Sequence, residues 1–216
     1  MISEIKAIAR RHLATDGANL SLRAVARDMG MVSSALYRYF ASRDDLLTAL
    51  IIDAYNALGD AAEAGDAAVK DRGDLRGRWL GICHGVRGWA LANPAEYALI
   101  FGSPVPGYAA PPDTIAAALR TPAALIRIVT DGISSGTVAD PGSGELPDDV
   151  RADLIRARDE LSPGLPEAML AGGETGWIHL FGAVSFELFG QFNNVIEARE
   201  AHFAYQMRLI ADLIGV

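Results

Sequence analysis

The stretch "MGMVSSALYRYF", Met29 to Phe40, decides how this chain is read. It puts two serines, two tyrosines and an arginine on one short segment of a 216-residue protein whose formal net charge is −8. Leu36 and Phe40 are four residues apart, so on a helix they share one face and turn inward. Tyr37, Arg38 and, more obliquely, Tyr39 are left for the outer side. Ser33 is read as the N-cap of this short helix. Before it, Gly30 stops another helix, "LRAVARDM", which Ser21 caps and which is apolar at Leu22, Val25, Ala26 and Met29. Two helices around a tight glycine-containing turn make a helix-turn-helix, whose second helix offers its N-terminus and outer face to the DNA major groove. Ser33 and Ser34 suit phosphate or base edges, the hydroxyls of Tyr37 and Tyr39 suit phosphate, and Arg38 reaches guanine or phosphate.

The flanks agree with this. Ile2, Ile5, Ile8 or Ala9, and Leu13 recur at helical spacing, and Gly17 is expected to end that first helix. Arg43-Asp44-Asp45 opens a long apolar fourth helix through Leu46, Leu47, Leu50, Ile51, Ala54, Tyr55 and Leu58. Residues 1–48 hold seven basic and five acidic residues, so a slightly basic module is attached to an acidic remainder. Such a chain meets a phosphate backbone with one face only.

The stretch from Gly17 to Leu47, "GANLSLRAVARDMGMVSSALYRYFASRDDLL", resembles the DNA-binding domain of TetR-type transcriptional regulators. Gly17, Ser21, Val25-Ala26, Gly30, Ser33, Leu36-Tyr37, Tyr39-Phe40 and Arg43 carry the likeness. Arg43 replaces the family's usual lysine and keeps its charge. The resemblance implies that Ser21 and Arg23 lie near phosphate. It implies that Val32, Ser33, Ser34, Tyr37 and Arg38 read the major groove, and that Tyr39 and Arg43 bind phosphate. It further implies an all-α protein with a three-helix DNA-binding domain at 1–45 and a larger helical ligand-sensing and dimerisation domain at 46–216. The expected partners are a palindromic double-stranded operator, a second copy of the chain and a small hydrophobic effector. Tyr37 and Tyr39 have partial core packing as their competing role.

The rest of the chain reads as helices at 73–92, 95–102, 113–135, 147–160, 166–192 and 197–214, with proline- and glycine-rich connections at 102–112 and 139–148. The segments "NPAEYALIFGSPVPGY" and "GWIHLFGAVSFELFGQF" resemble a subgroup of the same family with a Trp-x-x-x-x-Gly segment in its penultimate long helix. That helix is apolar around its whole circumference, so burial on more than one side is expected. Candidate effector-binding residues are Trp79, Cys83, Val86, Tyr97, Phe101, Ile126, Val129, Trp177 and Phe181, with His179 as a polar anchor. Each of these aromatics has plain core packing as its alternative. Candidate dimer contacts are Gly182, Ser185 and Phe189, with Phe203, Met207 and Ile210 of the last helix, in a four-helix bundle across a two-fold axis.

Other chemistry finds little support. The single cysteine, Cys83, rules out an intramolecular disulfide and fits a reducing compartment. No apolar run approaches a membrane span and the N-terminus lacks a secretion signal, so a cytoplasmic protein is expected. "GISSG" at 132–136 spells a nucleophile elbow around Ser134, but that motif needs a preceding strand, and a helical pattern stands there. Cys83-His84 point to different helix faces, and His12, His179 and His202 lack ligand spacing, so no metal, cofactor or catalytic residue is expected. An enzyme using Ser134 or His179, and a regulator or activator with no inducer response, are the alternatives.

Overall fold

In a computed structural model of the chain, residues 1–16, 20–138, 146–161 and 165–216 are described. Gly17 and most of the 139–148 connection lie outside them. The elements in order are α1 (Ile2–Asp16), α2 (Leu22–Asp28), α3 (Ser33–Leu36), α4 (Arg43–Ala68), α5 (Leu75–Ala92) and α6 (Pro94–Phe101). A 3-10 turn (Pro112–Thr114) leads into α7 (Ile115–Ala118), α8 (Arg120–Ser135), α9 (Asp148–Leu161), α10 (Glu167–Leu188) and α11 (Arg199–Ile214). The fold is all-α, with no strand among the described residues.

Two helices of the larger C-terminal part differ from the sequence expectation. The stretch expected to be helical over 113–135 breaks at Leu119. Pro122 is the third residue of α8 and has no N–H to give the carbonyl of Ala118 one turn back, so the chain restarts there. The helix expected over 166–192 ends at Leu188. Gly190 takes φ +80, its N–H reaches the Glu187 carbonyl at 3.3 Å, and the Gln191 N–H reaches that of Phe186 at 2.8 Å. These two bonds close the helix end in a Schellman motif, which needs the left-handed backbone a glycine accepts.

The chain packs as two compact units. The first joins Met1–Leu58 with Trp89–Arg120. Its core is built from Ile5, Ala9, Leu13, Leu22, Val25, Leu36, Leu46, Leu47, Leu50 and Val105, all buried. Asp53 of α4 fixes α1 from outside that core: Lys6 Nζ lies 2.8 Å and an Arg10 guanidinium nitrogen 2.7 Å from its carboxylate oxygens.

The second unit joins Gly59–Gly88 with Thr121–Val216. Here α4 and α5 touch backbone to backbone. A Cβ on Gly65 would collide with the Gly81 carbonyl, one on Gly81 with the Gly65 carbonyl, and one on Gly85 with the Ala61 carbonyl. The core holds Trp79, Ile82, Cys83, Val86, Ile128, Leu180, Val184, Phe203 and Met207. Two ion networks are set into it. Arg78, only 2% exposed, donates to Asp66 at 2.7 Å and lies 2.8 Å from Asp131. Arg87 clasps the carboxylate of Glu187 with two bonds of 2.8 and 2.7 Å and places its guanidinium carbon 5.4 Å from the Phe203 ring centre.

Candidate nucleic-acid interface

The helix-turn-helix is closed by local chemistry. Ser21 has extended backbone and its Oγ accepts the Ala24 N–H at 3.5 Å, the N-cap expected of it. At the other end of α2, Gly30 takes φ +66. The Gly30 N–H bonds the Arg27 carbonyl at 3.0 Å and the Met31 N–H bonds that of Ala26 at 2.9 Å. This is again the Schellman pattern, and it fixes the angle at which the chain leaves α2. The next helix differs from the reading of the sequence. Its N-cap is Val32, in extended backbone, and Ser33 is its first residue, with no side-chain cap. Regular α-helix stops at Leu36, and Tyr37 to Tyr39 form a turn. The long α4 has a cap the sequence reading passed over: Ser42 Oγ accepts the Asp45 N–H at 3.0 Å, the S-x-x-D signature of a helix start.

Inward and outward faces separate cleanly. Leu36 and Phe40 are buried in the core of the first unit. Val32, Tyr37 and Tyr39 are 71, 46 and 41% exposed. Ser21, Arg23, Ser34 and Arg38 are also exposed, whereas Ser33 and Arg43 are half-buried. Ser21, Arg23, Tyr37 and Arg43 line one open concavity of about 560 Å³ between the start of α2 and the start of α4. Arg43 is partly committed there, since its Nε donates to the Leu20 carbonyl at 3.1 Å. His12 of α1 braces the end of α2 through Asp28, 2.7 Å away, and that hydrogen bond holds the Asp28 carboxyl below the usual carboxylate range. Nothing in the local sequence pattern announces this contact, whose partners are 16 residues apart.

The residues proposed for effector binding divide between the two units. Tyr97, fully buried, and Phe101 belong to the first, with ring centres 5.1 Å apart. The others belong to the second. Trp79 gives its indole N–H to the Met207 carbonyl at 2.8 Å. Cys83 and Val86 are completely buried, and burial pushes the Cys83 thiol well up. Val129 is buried and Ile126 half-buried. Phe181 is buried edge-on to Trp177, which is itself exposed. His179 hydrogen-bonds Gln206 at 3.0 Å.

Of the dimer candidates, Gly182 and Phe189 are exposed and Ser185 is half-buried. Phe203, Met207 and Ile210 turn into their own chain's core, so they are not on the open side of α11. That helix is apolar on two faces, and the face it leaves open carries Tyr205, Leu209 and Leu213. On α10 the open apolar residues include Trp177, Ile178 and Phe186, followed by Phe189 at its C-cap. Ser134 lies in the last turn of α8 rather than at a strand-to-helix turn. No described helix is long and apolar enough to cross a membrane.

Comparison with known proteins agrees with this geometry. Residues 5–50 match the family model of the bacterial regulatory proteins, tetR family, and residues 79–210 match that of the tetracyclin repressor-like C-terminal domain. The HTH-type transcriptional regulators Rv1816 of Mycobacterium tuberculosis and Mb1846 of Mycobacterium bovis are each 41% identical over 226 aligned positions, covering 99% of this chain and 92% of theirs. Among solved structures, the regulatory protein SCO4313 superposes with a TM-score of 0.80 at 36% identity, over 100% of this chain and 95% of that one. The TetR family transcriptional regulator PfmR of Thermus thermophilus shares the fold, with a TM-score of 0.60 at 18% identity over 97% and 96% of the two chains. The chain belongs to the TetR family of bacterial transcriptional regulators.

Proposed function

We propose that this regulator binds a palindromic operator as a homodimer and releases it when a small hydrophobic molecule occupies the helical part of the chain. In this reading residues 1–45 contact DNA, while residues 46–216 sense and dimerise. The observation that carries it is the exposed row of Val32, Ser34, Tyr37, Arg38 and Tyr39 above a buried Leu36 and Phe40. Val32 offers a methyl surface to thymine, Arg38 a fork to guanine or phosphate, and the tyrosines hydroxyls to phosphate. The open apolar side chains of Phe186 on α10, of Phe189 at its C-cap, and of Tyr205, Leu209 and Leu213 on α11 support pairing of these helices with a second copy. Two recognition helices held about 34–36 Å apart then read successive half-sites. Repression by release is linkage: an effector that prefers the badly spaced conformation lowers operator affinity by its differential binding to the two states.

The test is binding to DNA upstream of the protein's own coding region against scrambled DNA, with the double variant Tyr37→Ala/Arg38→Ala as control. Wild type is expected to prefer the upstream DNA, and the variant to lose that preference while remaining a folded dimer. Undiminished preference in the variant would show the reading face to be elsewhere.

A further inference from the structure

The unit that carries the helix-turn-helix has a pocket of its own, of about 440 Å³, between α4, α6, the 102–110 connection and α7. That volume is in the range of small-molecule sites. Its lining includes Ile51, Tyr55, Leu99, Val105, Tyr108 and Ala118, and no lining residue carries a formal charge. Of its four side-chain hydroxyls, that of Ser103 belongs to an exposed residue and two others are already engaged. The Tyr108 hydroxyl is 2.9 Å from Thr48 Oγ1, and Thr114 Oγ1 donates to the Pro111 carbonyl at 2.8 Å. Tyr55 is different. Its ring is fixed edge-on against Phe101, with centres 6.0 Å apart, and its hydroxyl makes no hydrogen bond among the described residues. Burial, with Tyr108 nearby, pushes this phenol above its ordinary value, so it stays a protonated donor.

The same walls belong to the DNA-binding module. Val105 is a buried member of the helix-turn-helix core, and Leu99 and Tyr108 pack against that core. Thr48, the partner of Tyr108, follows the core residue Leu47 on α4. A molecule in this pocket therefore presses on the residues that set α4 against α2 and α3.

We infer that this pocket binds an uncharged, mainly hydrocarbon small molecule with one hydrogen-bonding oxygen, which the Tyr55 hydroxyl receives. The lining supports the class: a charged ligand would meet no counter-ion, while a pure hydrocarbon would leave the phenol unused. The site contains none of Trp79, Cys83, Val86, Trp177 or Phe181. Its effect on operator affinity rests on the function proposed above; its occupancy does not.

The experiment is headspace partitioning of menthone and of menthane, the same skeleton without the carbonyl, over the full-length protein without DNA. Wild type is expected to take up menthone saturably. Tyr55→Phe should weaken menthone by about 3- to 10-fold and leave menthane unchanged, and Ala118→Phe, which fills the pocket, should abolish both. The site is refuted by absence of saturable menthone uptake, or by uptake that neither variant changes. An equal loss of both compounds in Tyr55→Phe refutes the hydrogen bond, and that comparison decides even where Ala118→Phe does not fold. Intact menthone uptake without operator binding overturns the DNA reading alone, and intact operator binding without uptake overturns the pocket alone.

Discussion

Breaking the clasp between Arg87 and Glu187 should be among the most costly single changes in the second unit. The two side chains are 14 and 8% exposed, and they meet through two bonds of 2.8 and 2.7 Å. With charge centres about 4 Å apart, the attraction at an effective dielectric near 20 is roughly 4 kcal/mol, and removing one partner of such a pair costs about 3–5 kcal/mol. Arg87→Met keeps most of the stem that packs beside Phe203 and removes the charge, so it isolates the electrostatic loss. It leaves the buried Glu187 carboxyl without its bidentate partner. Glu187→Leu does the reverse, leaving a buried guanidinium with its bidentate partner gone. The double variant Arg87→Met/Glu187→Leu buries no charge at this position and should fall within about 1 kcal/mol of wild type, because an apolar pair of similar volume substitutes well for a buried ion pair. The assay is urea unfolding of all four proteins at one fixed protein concentration, because association shifts apparent stability. The expected outcome is two large single losses and a coupling energy of several kcal/mol in the cycle. Single variants that each lose less than about 1 kcal/mol, or a double variant as weak as the sum of the singles, would refute the claim that this pair is buried and mutually dependent.

Two further outcomes follow from the same unit. Gly81→Ala drives a methyl group into the Gly65 carbonyl on α4, a backbone atom that cannot rotate away, so it should cost about 1–3 kcal/mol. At about 2–4 °C per kcal/mol for a chain of this size, differential scanning calorimetry will show the loss, and an unchanged melting temperature would mean that α4 and α5 are further apart. The second outcome is a pH dependence. Burial alone would raise the Asp66 carboxyl, but hydrogen bonds from Arg78 and Arg72 outweigh it and hold that group below the usual carboxylate range. A depressed folded-state pKa contributes stability that is complete above the unfolded value and lost as pH falls through the folded one. Acid unfolding should therefore steepen below the ordinary aspartate range, and Asp66→Asn should flatten that limb while lowering stability at neutral pH. An acid limb identical in wild type and Asp66→Asn would contradict it.

What the sequence reveals, and what it hides, follows the distance over which each signal acts. The Ser21 cap, the Gly30 turn and the inward pair Leu36 and Phe40 depend on partners within five residues, and all are found as read. The cap of α3 misleads because Ser33 and Ser34 are adjacent good candidates, while the extended backbone at Val32 sets the start one residue earlier. The break before α8 is written in Pro122, but the apolar periodicity around it reads straight through. Arg87 and Glu187 are 100 residues apart, and Arg78 and Asp66 are on different helices. One sequence offers no way to pair them. The orientation of α11 is hidden for another reason: spacing shows two apolar faces but not which of them the chain covers.

The proposed DNA-reading face carries few free cations, which bears on its salt dependence. The module is net basic by composition, yet much of that charge is spent internally. Lys6 and Arg10 hold Asp53, Arg27 lies 3.5 Å from Asp28, and Arg43 gives its Nε to a carbonyl. On the helix-turn-helix itself, Arg23 and Arg38 are the exposed cations without an ion pair among the described residues. The proposed dimer thus presents four such cations to phosphate, and the slope of log affinity against log salt should be about −3.6, since each neutralised phosphate contributes about −0.9. Most of the remaining phosphate contact must come from the hydroxyls of Ser21, Ser34, Tyr37 and Tyr39 and from backbone N–H groups, which release no counterions. Removing Arg23 as Arg23→Ala should flatten the slope by about 1.8, two cations per dimer, and weaken specific and scrambled DNA alike. Fluorescence anisotropy across a salt series measures both. A slope steeper than about −6 would mean that cations outside this face meet the DNA, and the contact surface would have to be redrawn to include α1, where Arg11 is exposed.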